Sequence, residues 1–161
     1  MKPDIVERPA FHVVGMAGRF TPATIPEIPA LWGRFAPVMG IVPGKKGRAC
    51  YGTCRPDEKG ERGTPALEYT ACVEVESLKN IPNGMVGFTV PAGRYARFTH
   101  QGHIKKIGET FDAIHHEWFP KSGLTRADGY DFEYYDDRWD PATGMGDVDI
   151  YVPISGKVAT R

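Results

Sequence analysis

The apolar positions of this chain change period several times, and each change marks an element. Between residues 103 and 119, Ile104, Ile107, Phe111, Ile114 and Trp118 fall at helical spacing and form one apolar stripe. Pro120 and Gly123 are the residues expected to stop that helix. Residues 67–77 alternate instead: Leu67, Tyr69, Ala71, Val73 and Val75 face one way, and Glu68, Thr70, Cys72, Glu74 and Glu76 the other. That is a strand. Residues 147–154 repeat the pattern with Val148, Ile150, Val152 and Ile154. Shorter strands are expected at 49–55 and 130–136, and long ones at 5–20 and 85–100. Pro9 confines the start of the first long strand to an edge or bulge, and Pro91-Ala92-Gly93 bends the second. An earlier helix is expected from Thr24, with Thr24 and Glu27 as a capping box, Ile28, Leu31, Trp32, Phe35 and Met39 on one face, and an end at Gly40. A charged hairpin loop at 56–65 and a frayed tail from 156 complete the reading.

The order strand–helix–strand–strand therefore occurs twice, at about 5–77 and 85–154, with a turn-rich link at 79–84 between them. One half of this size buries too little apolar surface to stand comfortably alone. The expected fold is α+β, a single domain over 1–161. It is a duplicated βαββ with both helices on one side of a joined antiparallel sheet and a ligand groove along the seam.

Charge and composition remove several function classes. The 20 basic and 20 acidic side chains cancel, which argues against a general nucleic-acid binder and a polybasic membrane anchor. No run approaches the roughly 20 apolar residues of a membrane span, and no leader is visible at the start. Three cysteines, Cys50, Cys54 and Cys72, read as reduced thiols in a cytoplasmic protein. The segment IVPGKKGR departs from a phosphate loop in glycine spacing and in carrying Lys46 where a hydroxyl is needed. His100, His103, His115 and His116 match no metal-ligand spacing, and the aspartates between 136 and 149 match no calcium loop. No metal and no cofactor is expected.

The residue that asks for a reason is Glu133. It stands inside Asp131-Phe132-Glu133-Tyr134-Tyr135, a carboxylate in an aromatic strand, where glutamate is disfavoured and rings are favoured. The structural alternative is a solvent-facing glutamate, or one paired with Arg55 or Arg97. If the Phe132 and Tyr134 face packs on the helices, Glu133 points into the groove with Tyr135 beside it.

The segments VPAGRYARFTHQG, HHEWFPKSG, DFEYYDD and VDIYVPI, in this order and spacing, resemble the GyrI-like small-molecule-binding family. That family includes gyrase-inhibitory-type proteins and the effector-binding domains of AraC- and MerR-type multidrug regulators. ACYGTCRPD and EYTACVEV occupy the places of its first-half hairpin. The resemblance implies a groove for lipophilic, often cationic, compounds. It implies Glu133 as the cation-facing acid, Trp118 in the pocket wall, and Tyr51 and Tyr69 as first-half lining.

The chemistry agrees with this. A bulky organic cation needs ring faces and one carboxylate to set the sign. Glu133 with Tyr51, Tyr69, Tyr95, Phe98, Trp118 and Tyr135 supplies those parts. The expected function is binding, as a sensor or sequestering domain. No DNA-binding segment precedes residue 1, so no direct nucleic-acid contact is expected, and no membrane contact either. One alternative is hydrolysis of strained electrophiles with Glu133 as general acid or base. Enzymatic activity is left open and not favoured, since no nucleophile triad is visible. Another is a protein partner, as in inhibition of a topoisomerase.

Overall fold

The computed structural model describes residues 1–56 and 66–156. The expected hairpin loop at 56–65 and the expected frayed tail lie almost wholly outside the described residues. The strands are β1 (Asp4–Arg8), β2 (Phe11–Phe20), β3 (Cys50–Pro56), β4 (Leu67–Val75), β5 (Val86–Val90), β6 (Gly93–His103), β7 (Thr125–Arg126), β8 (Asp131–Tyr135), β9 (Trp139–Asp140) and β10 (Met145–Ser155). They form one antiparallel sheet in the order β1-β6-β10-β8-β3-β4-β2-β5, with β7 and β9 as short additions to β10. Exchanging β1 with β5, β2 with β6, β3 with β8 and β4 with β10 reads that order backwards. The duplication is thus a pseudo-twofold whose axis passes between β3 and β8.

Both long strands are interrupted more severely than a bend. β1 and β2 are joined by Pro9-Ala10, and β5 and β6 by Pro91-Ala92. Yet in each case five strands stand between the two in the sheet. Six inter-strand steps in a flat sheet would cover about 29 Å. Three Cα steps reach about 11 Å at most. The sheet must therefore curl until its two sides approach at the proline end. Rings on the concave side record this. Phe11 of β2 meets Phe132 of β8 at 5.4 Å, and Tyr95 of β6 meets the same ring at 5.4 Å. Phe11, Tyr51, Tyr95, Phe132 and Tyr151 form the core of that face.

The convex face carries the helices. Cross-strand pairing places Phe98, Ile150, Glu133, Gly52 and Ala71 in one row on one face. Ala71 belongs to the cluster under α1 (Ile28–Phe35), with Leu31 and Phe35. Phe98 and Ile150 belong to the cluster under the second helix, with Ile114 and Trp118. Both helices therefore sit on one side of the joined sheet.

The helices differ from their sequence reading in detail. Thr24 makes no capping box: its hydroxyl accepts from the Thr21 amide at 2.8 Å, and a 3₁₀ turn, Ile25–Glu27, leads into α1. Proline at positions 26, 29 and 37 withholds backbone donors around this helix. It ends at Phe35, with a separate 3₁₀ turn at Met39–Ile41. The second helix starts as a 3₁₀ turn, Ile104–Lys106, and becomes α2 (Ile107–Ala113). It then widens into a π turn at Ile114–Trp118 and closes as α3 (Phe119–Ser122). Gly123, at φ 75°, ends it. Pro120 sits inside the last turn, directly after the π turn, and does not stop the helix as expected; it lacks the N–H that would continue the backbone ladder there.

Phe132 is fully buried and touches rings from several strands. Phe132→Ala should destabilise the protein by about 3–5 kcal/mol. Ile41→Ala, at a side chain 77% exposed, should stay within about 0.5 kcal/mol. Urea unfolding of both variants checks the contrast.

Candidate functional site

Glu133 lies at the middle of the β3–β8 pairing, opposite Gly52, with two further pairs on either side. The pseudo-twofold therefore relates a glutamate to a glycine. The glycine is required by space: a Cβ at position 52 would overlap the Tyr69 hydroxyl and Glu133 Oε1. The first half contributes room at the centre of the sheet, and the second half fills it with a carboxylate.

That carboxylate is 6% exposed and lies on the helix-bearing face. The expectation that the Phe132 and Tyr134 face would meet the helices is thus reversed. Glu133 points between the two helix-covered clusters, under protein rather than out to water. Among the described residues no arginine pairs with it: Arg55 pairs with Glu68 and Arg97 with Asp4. Two phenols satisfy it instead. Tyr69 donates to Oε1 at 2.7 Å and Tyr135 to the same oxygen at 2.8 Å. Trp32 of α1 donates from Nε1 to the Tyr69 oxygen at 2.9 Å, and its ring crosses Tyr135 edge-on at 5.6 Å. Trp139 also packs on Tyr135, at 5.0 Å, and its buried Nε1 has no acceptor among the described residues.

The electrostatics follow from burial. Loss of water pushes the Glu133 carboxyl up to about 6, against the opposing pull of the two phenolic hydrogen bonds. Burial and the neighbouring carboxylate push Tyr69 and Tyr135 well above the ordinary phenol range, so both remain donors at neutral pH. Cys50 and Cys54 flank Gly52 on the same face. Burial pushes Cys50 up to about 11 and raises Cys54 as well, which keeps both as poorly nucleophilic thiols. The centre can hold or release one proton near pH 6, and it can offer one negative charge inside a cage of rings.

The seven residues read from the sequence divide into three groups. Glu133, Tyr69 and Tyr135 are hydrogen-bonded together. Phe98 and Trp118 share their face, with Phe98 two strands away along the row through Ile150 and Trp118 against it at 5.1 Å. Tyr51 and Tyr95 lie on the concave face, in the Phe132 cluster, and cannot meet Glu133 through the sheet. Trp32 and Trp139 had no distinguishing sequence signal. Trp32 is one apolar residue on a helix stripe, and Trp139 lies in a stretch that reads as a polar loop.

Comparison with known proteins gives a consistent family. A model of the GyrI-like small molecule binding domain matches residues 1–155. The transcriptional regulator BrlR of Pseudomonas aeruginosa is 43% identical over 152 residues, covering 93% of this chain and 54% of BrlR. The chain thus spans about half the length of that curated relative. Among solved structures, SAV2435 bound to tetraphenylphosphonium matches 97% of this chain and 95% of its own, with a TM-score of 0.79 and 20% identity. The EcmrR C-terminal domain matches 97% and 98%, with a TM-score of 0.66 and 16% identity. EcmrR also matches within a DNA complex. The expectation of no direct nucleic-acid binding is not confirmed by these comparisons. No helix among the described residues is long and apolar enough to cross a membrane.

A raised carboxyl makes stability depend on pH with a definite sign. The folded state holds the proton up to about pH 6, whereas the unfolded chain releases it near the ordinary value of about 4.3. Stability is therefore greatest below that ordinary value, falls as pH rises through the window to about 6, and is flat above. At about 1.4 kcal/mol per unit the loss is about 2 kcal/mol. Denaturant unfolding of wild type and Glu133→Gln across pH 4 to 8 should show the slope in wild type and its removal in the variant.

Proposed function

Because the chain belongs to the GyrI-like small-molecule-binding family, we propose that it binds lipophilic cations at Glu133 as a cytoplasmic ligand-sensing or sequestering domain. The observation that supports this most is a carboxylate buried on the helix face, held by two neutral phenols and by no cation among the described residues. Such a group is costly to ionise. A guest that brings a diffuse positive charge and its own apolar surface relieves that cost, while a small hydrated ion does not. SAV2435, which shares the fold, is seen with tetraphenylphosphonium, a guest of this kind.

Both phenols donate to Oε1, so Oε2 is the oxygen offered to the guest. Trp32 covers the centre through its bond to Tyr69. A bulky guest takes its place by moving α1, a helix of 8 residues whose stability comes from packing. Trp118, at the π turn two strands away, supplies the other wall. The unpaired Trp139 Nε1 gives a polar anchor at the third side. Tyr51 and Tyr95, on the concave face, are not part of this site. BrlR is a transcriptional regulator, which supports reading occupancy as a signal passed to whatever the domain is joined to or meets.

The test is fluorescence or calorimetric titration with tetraphenylphosphonium and rhodamine. Micromolar binding is expected in wild type, weakened at least tenfold in Glu133→Gln. Wild-type affinity should rise with pH through about 6, as the carboxyl ionises, and the variant should show no such rise. Equal binding by the variant overturns the carboxylate reading. Turnover of an electrophilic substrate, lost in the same variant, would put a hydrolase in place of a receptor.

A further inference from the structure

The concave face holds a cavity of about 570 Å³, whose chemistry is unlike that of the Glu133 centre. At the proline end the concavity is filled by the Phe11, Phe132 and Tyr151 rings. Arg8 lies across those rings, with its guanidinium carbon 4.9 Å from the Phe11 centroid, 5.3 Å from Phe132 and 4.9 Å from Tyr151. It forms the floor of the cavity. Tyr51, Tyr134 and Tyr151 are walls, and charged groups surround the mouth.

The charges do not cancel locally. At the mouth Arg97 is matched by Asp4 at 2.9 Å, and Glu74 by Lys46 at 3.4 Å. Arg138 is shared by two acids, Asp149 at 2.7 Å and Asp136 at 2.9 Å, which leaves one negative charge in surplus there. On the floor Arg8 has ring faces and phenols around it but no carboxylate partner among the described residues. Rings surround the guanidinium and the Tyr51 and Tyr151 hydroxyls take part of its hydrogen-bonding capacity, while a guanidinium has five N–H donors, so the remaining ones are available to an oxyanion. Positive floor and negative mouth are linked through β10. Tyr151 under Arg8 and Asp149 at the mouth are two residues apart on one face, about 7 Å along the strand.

We propose that this cavity is a binding site for a small zwitterion, with its carboxylate or phosphate on Arg8 and its ammonium at the Asp136–Asp149 pair. A simple anion meets the acids at the mouth, and a simple cation meets Arg8. A guest with separated opposite charges meets a complement at both ends. The site is on the opposite face from Glu133 and does not depend on what binds there.

Calorimetric and NMR titration of the full chain with 6-aminohexanoate, hexanoate and hexylamine tests this, with phosphocholine beside them to tell a phosphate guest from a carboxylate one. At least one zwitterion should bind tenfold or more tighter than both singly charged probes. Amide shifts should cluster around Thr99 and Asp149, and Glu133→Gln should leave them unchanged. Arg8→Gln should abolish the advantage of the zwitterion. Asp136→Asn, a milder change at the mouth, should reduce 6-aminohexanoate to the level of hexanoate without weakening hexanoate. Equal binding of hexanoate or hexylamine, an advantage that survives both substitutions, or no binding of either zwitterion overturns the proposal.

Discussion

Two links of two residues each, Pro9-Ala10 and Pro91-Ala92, have to join strands that stand on opposite sides of the sheet. Everything else in the architecture answers to that. A flat sheet cannot satisfy them, so the sheet curls, and curling makes its two faces inequivalent. The concave face closes on a plug of rings at the proline end and opens into a polar cavity at the other. The convex face has room for two helices side by side. Proline suits both links because it fixes φ and needs no ladder partner where a strand leaves one neighbour for another.

The pseudo-twofold puts the most constrained point of the sheet at its centre. There the two halves differ by necessity. Two glutamates facing each other across the β3–β8 pair would place like charges in a buried row, and there is no volume for a second side chain. The pair is Gly52 and Glu133, and the vacated space takes Tyr69 from the first half. Two phenols then do what water would do for an exposed carboxylate, incompletely enough that the carboxyl still rises to about 6. A half-satisfied buried acid is an expensive feature for a stable core, and that expense is what a guest of opposite charge can reduce.

Element type, order and duplication were legible because each rests on local periodicity. The alternation in residues 67–77, the stripe from Ile104 to Trp118 and the aromatic setting of Glu133 are all present in the chain itself. Local patterns also had clear limits. The capping box at Thr24 and Glu27 has the right letters, yet prolines at 26 and 29 leave a 3₁₀ entry instead. A smooth stripe gave no sign of the π turn at Ile114–Trp118, which alters the hydrogen-bond spacing and not the residue types.

The sequence by itself determined that strands of one class would alternate with two amphipathic helices, that the set occurs twice, and that one carboxylate would sit among rings. These follow from side-chain period and propensity, which act over a few residues. Which rings reach that carboxylate was decided only by tertiary structure. Tyr51 and Tyr69 both lie on strands of one hairpin, but their residues alternate to opposite faces once register is set, so only Tyr69 meets Glu133. Trp32 reaches the Tyr69 hydroxyl from a helix placed by packing, and Arg8 faces an open cavity through the curl of the sheet. Register, helix placement and curvature are properties of contacts between distant segments, and no window along the chain contains them.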